Sequence, residues 1–368
     1  MKTIVVNGAN GYVASNFICN LLKHKHRVIA LARGNSRCSP EERMETALSE
    51  ADDRECVDLQ GLKVYSYSLL DEDFSISEEQ LKEIFKGNVD YFHFAASLKY
   101  DFKSKDEIFK TNIGGVENSV KVYSKYANSH SRFFLIGTAY SCGKFPGLFE
   151  EKFYPDEDIS AFRNYYEQSK RFAENVLKTH IECDGLNGHI IRLSQVVGNN
   201  QSGVTKTDYG IFDFAKRIQS IASRYPNRTV RVHVDSDSTQ NLIPVDTVVS
   251  YLTEIIEDDQ LPVIMNFVSK KPVKNNDIIH DINELLPINI IPLKNFNRED
   301  MNPIERIINA GMSFTGSYAD TSIRFDTAKR DKIITTVNNE VTEHTVFKML
   351  KYFIENISEK KMNKTQTL

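Results

Sequence analysis

A tyrosine followed four residues later by a lysine occurs twice in the sequence, at Tyr140/Lys144 and at Tyr166/Lys170. This spacing places the two side chains on one face only where the chain is helical. Gly143 interrupts the first pair, whereas the segment after Tyr166 contains no helix breaker and repeats its apolar residues at helical spacing. A lysine ammonium beside a tyrosine favours the phenolate and brings the phenol into range for proton transfer near neutral pH. The second pair is therefore the candidate acid, although such a pair taken alone is more often a surface feature.

Short apolar runs alternate with amphipathic stretches through the first half of the chain. Near-continuous apolar strands are buried on both faces of a parallel sheet, and helix-length spacers between them supply the crossovers. The pattern predicts an α/β fold, a Rossmann-like doubly wound parallel sheet with a smaller C-terminal α/β substrate domain. The predicted strands are 3–6, 27–31, 63–67, 91–94, 133–136 and 189–193, and the predicted helices are 12–24, 78–86, 105–127 and 165–180.

A glycine-containing turn lies between the first strand and the first helix. Gly8 permits a tight turn, Gly11 lets the backbone approach a pyrophosphate, and Ala14 allows close packing of helix on strand. The helix N-terminus then offers free N–H groups and a positive dipole end to phosphates. We interpret the turn as a dinucleotide-binding site, against the alternative of a purely structural turn. Its candidate cofactor-binding residues are Gly8, Asn10, Gly11, Tyr12 and Val13.

The second strand ends in Leu31-Ala32-Arg33 and lacks an acidic residue there. An aspartate or glutamate at this position would accept hydrogen bonds from the adenosine ribose and repel a 2′-phosphate. Arg33 and Arg37 instead offer two guanidinium groups to that phosphate, unless they are simply solvated loop residues. The sequence therefore predicts NADPH/NADP as the cofactor.

The later part of the chain has a looser pattern, with strand-like 263–268 and 288–292 and helices near 275–284, 298–310 and 341–357. We expect an NADP-binding Rossmann-like domain over 1–258, in which 196–240 contribute to the substrate side. A smaller substrate-binding region is expected over 259–357. The polar, lysine-rich residues 358–368 are expected to form a disordered tail.

The motifs together resemble the extended short-chain dehydrogenase/reductase superfamily over roughly residues 1–260. Within it, the sequence is most similar to the thioester-reductase and fatty-acyl-reductase branch, because of Thr138-Ala139-Tyr140 with Gly143, the run 164–170, and the run 192–198 followed by Gly203. The superfamily motifs are Gly8-x-x-Gly11-x-x-Ala14, Phe94-Ala95-Ala96, Thr111-Asn112-Ile113-Gly114-Gly115, Gly137-Thr138-Ala139-Tyr140, Tyr166-x-x-x-Lys170 and Asn241-Leu-Ile-Pro-Val-Asp246.

The resemblance implies a role for each matching residue. Tyr166 would donate a proton to the substrate carbonyl oxygen, Lys170 would hold the nicotinamide ribose and assist the tyrosine, and Thr138 would hydrogen-bond the same oxygen. Asn112 would support them from a neighbouring helix. Beyond the glycine turn and the arginines, the implied cofactor-binding residues are Ser68, Leu69, Ala95, Ala96, Ser97, Asn112, Tyr166, Lys170, Leu193 and Val196.

Two positions depart from the family pattern. Ser68 stands where an aspartate usually contacts adenine, so Asp71 or a backbone group is expected to substitute. Asn7 replaces the usual threonine of the first turn, which we expect to be tolerated because both side chains can bond the local backbone.

Composition and charge exclude several classes of protein. The 368 residues carry a net charge of −4, so no global basic field exists to hold nucleic acid. No apolar run approaches the ~20 residues that cross a bilayer, and the start of the chain turns polar too soon for a secretory signal. Five scattered cysteines form no C-x-x-C pair, so no metal is expected. We expect a cytoplasmic protein without nucleic-acid partners or a membrane span, and a homodimer is compatible with these features.

The favoured function is an NADPH-dependent reductase that transfers hydride to the carbonyl of an acyl thioester, carried on a protein or on coenzyme A, to give an aldehyde or alcohol. One alternative is an NAD(P)-dependent ketone or aldehyde reductase or a sugar-nucleotide epimerase/dehydratase. Epimerases usually pair with NAD and an acidic second-strand end, which Ala32-Arg33 argues against. A second alternative is a non-catalytic NADP-sensing regulator. Such proteins tend to lose the tyrosine–lysine pair, which this chain keeps.

Overall fold

A computed structural model describes residues 2–51, 58–311, 315–336 and 340–358. The strands are β1 Thr3–Asn7, β2 Arg27–Ala32, β3 Leu62–Ser66, β4 Val89–His93, β5 Arg132–Thr138, β6 Leu148–Phe149, β7 Gly188–Leu193, β8 Gln195–Val197, β9 Arg228–His233, β10 Thr239–Gln240, β11 Leu242–Pro244, β12 Ile264–Phe267, β13 Val273–Lys274, β14 Ile288–Leu293 and β15 Arg324–Phe325. The α-helices are α1 Tyr12–Lys23, α2 Pro40–Ala51, α3 Glu78–Ile84, α4 Lys105–Phe109, α5 Gly115–Tyr126, α6 Tyr165–Asp184, α7 Ile211–Arg224, α8 Val245–Glu257, α9 Asn275–Leu285, α10 Pro303–Gly311, α11 Arg330–Ile333 and α12 Glu343–Phe353.

In the described ranges, every helix lacks the length or the sustained apolar character that crossing a bilayer requires.

Seven strands form one parallel sheet in the order β12-β7-β5-β4-β1-β2-β3. Every residue of β4, β5 and β7 is buried, as expected for strands covered by helices on both faces. The chain order reverses beside β1, so the carboxyl ends of β1 and β4 form a switch point, where open sheets of this class bind ligands. The predicted Rossmann-like α/β fold is confirmed. The six strands predicted in the first half agree with the observed strands within two residues at each end.

Several helices differ from the prediction. The helix expected over 105–127 is divided into α4 and α5 by a π-helical turn at Lys110–Gly114. The helix expected over 298–310 begins only at Pro303, and the one expected over 341–357 ends in a π-helical turn at Ile354–Ser358. Helices α2, α7 and α8 were not predicted at all, and residues 359–368 of the expected tail lie outside the described residues.

The chain divides into two compact units that are not continuous in sequence. The first contains described residues within 1–194, 248–267 and 325–336, and the second contains those within 195–247, 268–324 and 337–368. The sequence prediction placed 1–258 in one domain, with 196–240 contributing to the substrate side. In the structure 195–247 belong to the second unit. β12, which follows residue 258, pairs with β7 and extends the central sheet of the first unit.

Two carboxylates hold the segment 325–336 within the first unit. Glu151 is buried and accepts hydrogen bonds from the backbone N–H groups of Asn266 (2.9 Å) and Arg330 (3.2 Å). Burial raises its pKa, and these N–H groups oppose the rise by stabilising the carboxylate. Glu254 on α8 accepts the N–H groups of Thr335 at 2.7 Å and Thr336 at 2.9 Å. The final part of the first unit is thus fixed by acids distant from it in sequence.

The second unit has its own apolar core. Strands β9 and β14 pair in parallel, and β8 pairs in parallel with β11. The core is formed by apolar residues of α7, α9, α12 and the β9/β14 pair, including Phe212, Ile218, Val230, Val232, Ile278, Ile282, Ile290, Leu350 and Phe353.

One acid of this second unit, Asp281 on α9, is buried with a relative exposure of 2%. Within the described part of the chain, its Oδ2 atom has no hydrogen-bond partner. Burial raises its pKa from 3.8 to about 7, and the nearby carboxylates Glu343, Glu284 and Asp277 add to the rise. The folded protein therefore keeps this proton at pH values where the unfolded chain has lost it.

We predict that replacement of Asp281 by asparagine removes a loss of stability that the wild type suffers as pH rises. A carboxyl whose folded pKa is raised stabilises the fold fully below about pH 4, and that contribution is lost as pH rises through about 7. Asparagine cannot ionise, so the melting temperature of Asp281→Asn should decline less between pH 5 and pH 8, by roughly 3 °C or more. The exposed acid Glu299 provides the control: Glu299→Gln should follow the wild type. Parallel pH profiles for wild type and Asp281→Asn would contradict the prediction.

Candidate functional site

The turn after β1 requires glycine at its first position. Gly8 has a positive φ of 61°, and a Cβ atom there would lie 2.8 Å from the backbone nitrogen of Ala95. The Gly8 N–H donates to the Tyr67 hydroxyl at 3.0 Å, and the Gly11 N–H donates to the Gly8 carbonyl at 2.9 Å. Gly11 then serves as the N-cap of α1, on which Tyr12 and Val13 are the first two residues. The backbone here has the close approach, and a helix N-terminus without a side-chain cap, that fit a dinucleotide phosphate.

Asn7 joins β1 to the residues that follow β4. Its Oδ1 accepts the N–H groups of Phe94 at 2.9 Å and Ala95 at 3.0 Å. The expectation that Asn7 bonds its local backbone is therefore wrong, because the carboxamide is long enough to reach the neighbouring strand. Phe94 and Ala95 are thereby held beside Gly8. The cofactor-binding role of Ala95, Ala96 and Ser97 stays a prediction.

The other end of the Asn7 amide enters a buried polar cluster that sequence analysis missed. Its Nδ2 lies 2.9 Å from the Tyr91 hydroxyl and 2.9 Å from Nδ1 of His93, which is also 3.0 Å from Ser119 Oγ. Burial lowers the pKa of His93 to about 3, and the Lys170 charge adds to the shift. The imidazole is therefore neutral at the end of β4. The apolar character of β4 predicts that the strand is buried, but it cannot show which polar groups meet at its end.

Arginines gather where β2 ends. Arg33 and Arg37 are exposed, and the backbone N–H of Arg37 donates to Asn35 Oδ1 at 2.8 Å. A third arginine, Arg43 on α2, places its guanidinium on the turn after β1, where Nη2 donates to the Asn10 amide oxygen at 2.7 Å. Arg43 also donates to the Arg33 carbonyl.

Arg43 was missed because α2 was not predicted. The signal for that helix was present in Pro40-Glu41-Glu42, since proline at the first helical position and acids in the first turn are typical of a helix start.

The position at which the family usually has an adenine-binding aspartate lies beside β3. The Ser68 hydroxyl bonds the Asp71 carboxylate, and this bond, with a second one from Ser75, lowers the pKa of Asp71. Asp71 is therefore adjacent to Ser68, as expected of a substitute. Leu69 is buried, and its side chain packs so closely on Gly115 that a Cβ there would lie 2.7 Å from Leu69 Cδ2.

Helix α6 carries the tyrosine–lysine pair. Asn164 caps the helix, with Oδ1 accepting the Glu167 N–H at 3.0 Å, and no breaker interrupts it before Gly185. Lys170 is 5% exposed, and its Nζ lies 6.0 Å from the centre of the Tyr166 ring and 3.4 Å from the Ile136 carbonyl oxygen. Burial lowers the pKa of Lys170 to about 8, opposed by the negative charge of Glu174. The Lys170 amine therefore titrates close to physiological pH.

Two further predicted residues support this helix and the end of β5. Asn112, in the π-helical turn, donates to Ser169 Oγ at 2.9 Å and accepts the Ser97 N–H at 2.7 Å. Thr138, the last residue of β5, donates its hydroxyl to the Leu193 carbonyl at 3.3 Å and accepts the Tyr140 N–H at 3.2 Å. To hydrogen-bond a substrate oxygen, the Thr138 hydroxyl would have to turn away from β7.

The last two predicted cofactor-binding residues fall in different units. Leu193 ends β7 in the first unit, and Val196 lies in β8 of the second.

The rival pair does not share a helical face. Tyr140 lies in a 3-10 turn at Ala139–Cys142, where a loop was predicted, and Gly143 leaves that turn with a φ of 59°. Lys144 then donates to the Ser160 carbonyl at 3.0 Å. Burial raises the pKa of Tyr140, which makes it a weaker acid. In the described ranges, no group of three or more His, Cys, Asp or Glu side chains could hold a metal ion.

The comparisons with known proteins agree with this geometry. A family model of NAD-binding domains described as "Male sterility protein" matches residues 6–252. No curated protein matches the chain in sequence.

The solved structures that share the fold include the following three. The terminal R domain from the myxalamid PKS-NRPS biosynthetic pathway is 15% identical, with a TM-score of 0.78, over 96% of this chain and 91% of that one. A thiolation-reductase di-domain from an archaeal non-ribosomal peptide synthetase is 17% identical, with a TM-score of 0.74, over 96% of this chain and 75% of that one. UDP-glucuronic acid 4-epimerase from Bacillus cereus, in complex with UDP-glucuronic acid and NAD, is 13% identical, with a TM-score of 0.67, over 96% of this chain and 99% of that one.

At these identities the solved structures show the fold alone, whereas the family model spans most of the chain. The chain belongs to the male sterility protein family, a fatty-acyl-reductase-like branch of the extended short-chain dehydrogenases/reductases.

Proposed function

We propose that this chain is an NADPH-dependent reductase that transfers hydride to the carbonyl of an acyl thioester, with release of the thiol, and gives an aldehyde, or an alcohol after a second hydride transfer from another NADPH. The observation that carries the proposal is the buried amine of Lys170, 6.0 Å from the ring of Tyr166, on the helix that packs behind the carboxyl end of β5. A nicotinamide-dependent member of this family needs a proton donor at that position, and this pair supplies one.

The cofactor would be held by the turn at Gly8–Val13 and by the residues after β4. When bound, NADPH supplies the hydride. Arg33 and Arg43 support the phosphorylated form of the cofactor, because Arg33 directly follows β2 and Arg43 on α2 donates to its carbonyl. No acidic side chain stands at positions 32 and 33 to repel a 2′-phosphate.

The side chains of the site would then manage charge on the substrate oxygen. Hydride addition to a carbonyl leaves negative charge on oxygen, and Tyr166 Oη would donate the proton that neutralises it. The Lys170 ammonium would stabilise the resulting phenolate, and it can do so only while it is protonated, below about pH 8. Asn112 would hold α6 in place through Ser169, and Thr138 would provide a second hydroxyl at the same edge.

The proposal of a thioester substrate is supported by the family and by the descriptions of two similar structures. A terminal R domain of a PKS-NRPS pathway and a thiolation-reductase di-domain support a thioester delivered on a carrier protein. The epimerase with NAD shares the fold over 99% of its own length, at a lower TM-score of 0.67. The end of β2 at Ala32-Arg33 favours the reductase, because an NAD-dependent epimerase is expected to have an acid there.

The test of this function is the stoichiometric release of thiol. Purified protein should oxidise NADPH in the presence of an acyl-coenzyme A or acyl-pantetheine thioester and release one free thiol per acyl group reduced. Ketones, aldehydes and nucleotide sugars serve as comparison substrates, since their conversion liberates no thiol. Oxidation of NADPH by ketones without thiol release from any thioester would favour the first alternative, and conversion of a nucleotide sugar with NAD would favour an epimerase.

Cofactor choice should depend on Arg33. A guanidinium on a phosphate contributes about 1.5–3 kcal/mol, so Arg33→Ala should reduce the preference for NADPH over NADH by roughly 10–150-fold. The measurement is the ratio of the two dissociation constants. Arg27→Ala, at the opposite end of β2, should leave the ratio unchanged. A wild type that binds NADH and NADPH equally would contradict the expected role.

Turnover should depend on Tyr166 far more than on Tyr140. Tyr166→Phe removes the proton donor but no cofactor contact of the glycine turn, so NADPH affinity should persist while turnover falls about 100–10,000-fold. Tyr140→Phe is the matched control, because it removes the same atom from the tyrosine whose lysine partner lies off its face. A greater loss in Tyr140→Phe would show that the other pair is catalytic.

A further inference from the structure

Beneath Lys170 lies a buried ion pair that the proposed mechanism does not use. Arg192, in β7, is 0% exposed and Glu174, on α6, is 1% exposed. The guanidinium donates twice to the carboxylate, from Nε to Oε1 at 3.0 Å and from Nη2 to Oε2 at 2.7 Å. The remaining donors of Arg192 are used as well, since Nη1 bonds the Glu150 carbonyl at 3.0 Å and Nη2 bonds the Lys152 carbonyl at 2.9 Å.

The pair also reaches the strand that ends in Thr138. The Ser141 hydroxyl donates to Glu174 Oε1 at 2.9 Å, and Ser141 follows β5 by three residues. A third buried cation, Arg171, donates to the Ser141 carbonyl at 2.6 Å. The negative charge of Glu174 also stabilises its positive charge. The carboxylate of Glu174 therefore connects α6, β7 and the end of β5 at one point.

Glu174 follows Lys170 by one helical turn, so the two side chains lie on the same face of α6. The other titratable groups facing Lys170 are Tyr166 on its own helix and His93 on β4, and the imidazole is neutral. Glu174 is the acid that favours the ammonium form of Lys170. An unpaired buried carboxylate one helical turn from Lys170 would favour the protonated amine strongly. An unpaired buried guanidinium in the same region would favour the neutral amine.

We propose that Arg192 and Glu174 form a positioning pair that sets how readily Lys170 gives up its proton: Glu174 favours the ammonium form, and Arg192 limits this effect by binding the carboxylate. This inference rests on the proposed function only for its catalytic meaning. Neither side chain touches the reacting atoms. The pair acts through Lys170, and through it on Tyr166.

The experiment measures the protonation of Lys170 directly, without any need for a substrate. Competitive labelling with trace acetic anhydride between pH 6 and pH 11 modifies only neutral amines, and peptide mass spectrometry gives the titration midpoint of Lys170 relative to an exposed lysine. Glu174→Gln removes the attractive charge and should lower the midpoint by about one pH unit or more. Arg192→Met frees the carboxylate and should raise it by a similar amount. The double variant should return to within about half a unit of the wild type.

A matched control is available on the same helix. Glu182 pairs with Lys178 at 3.8 Å on the exposed surface of α6, so Glu182→Gln changes the charge of the helix equally but should leave the Lys170 midpoint in place. Arg192→Met leaves a buried charge unpaired and can fail to fold. In that case Glu174→Gln and the double variant decide, since a midpoint that is lowered in the first and restored in the second still requires the pair.

An unchanged midpoint in all folded variants, together with lower melting temperatures, would overturn the inference and leave the pair a purely structural contact. The pH profile of thioester reduction supplies the second measurement, and its alkaline limb should move with the labelling midpoint. Shifted labelling without any thioester reduction would contradict the proposed function and support the pair. Thioester reduction with an unmoved labelling midpoint would contradict the pair alone.

Discussion

The reversal of chain order at the carboxyl ends of the paired strands β1 and β4 is the constraint on which the site depends. Neighbouring parallel strands whose crossovers reverse the chain order leave a crevice at that point. The Asn7 carboxamide bridges this crevice by accepting two N–H groups from the residues after β4. A side chain at Gly8 would collide with the backbone of Ala95, so only glycine fits there. Loss of this bridge would loosen the turn and the residues after β4 together, since one amide holds both.

Burial of polar groups is the second theme of the first unit. His93, Lys170, Glu174 and Arg192 are all removed from water behind the carboxyl edge of the sheet. Burying a charge is costly unless it is paired, and these groups satisfy that demand differently. Arg192 and Glu174 pair, His93 becomes neutral, and Lys170 remains beside the tyrosine with a lowered pKa. Perturbed groups of this kind cluster where chemistry is carried out.

The sequence allowed the sheet, the glycine turn and the helix of Tyr166 to be predicted because each depends on local periodicity or on a short motif. It did not allow Arg43 or the Arg192–Glu174 pair to be found, because these residues meet only after the chain has crossed between elements. Asn7 illustrates the limit within one residue. It directly follows the predicted strand 3–6, yet the backbone it bonds lies more than eighty residues away.

The attachment of 325–336 to the first unit has a consequence for the growing chain. β12 and the residues that bind Glu151 and Glu254 are synthesised only after much of the second unit has been made. About 140 residues separate Ser194 from the end of that segment, which at bacterial or eukaryotic translation speeds corresponds to roughly 7–30 s. β12 follows Ser194 by about 70 residues, so β7 keeps an unpaired edge for about half of that interval. Glu151 lacks the Arg330 N–H group until nearly the end of it. During this time a ribosome-associated chaperone could engage the chain before its last pieces arrive.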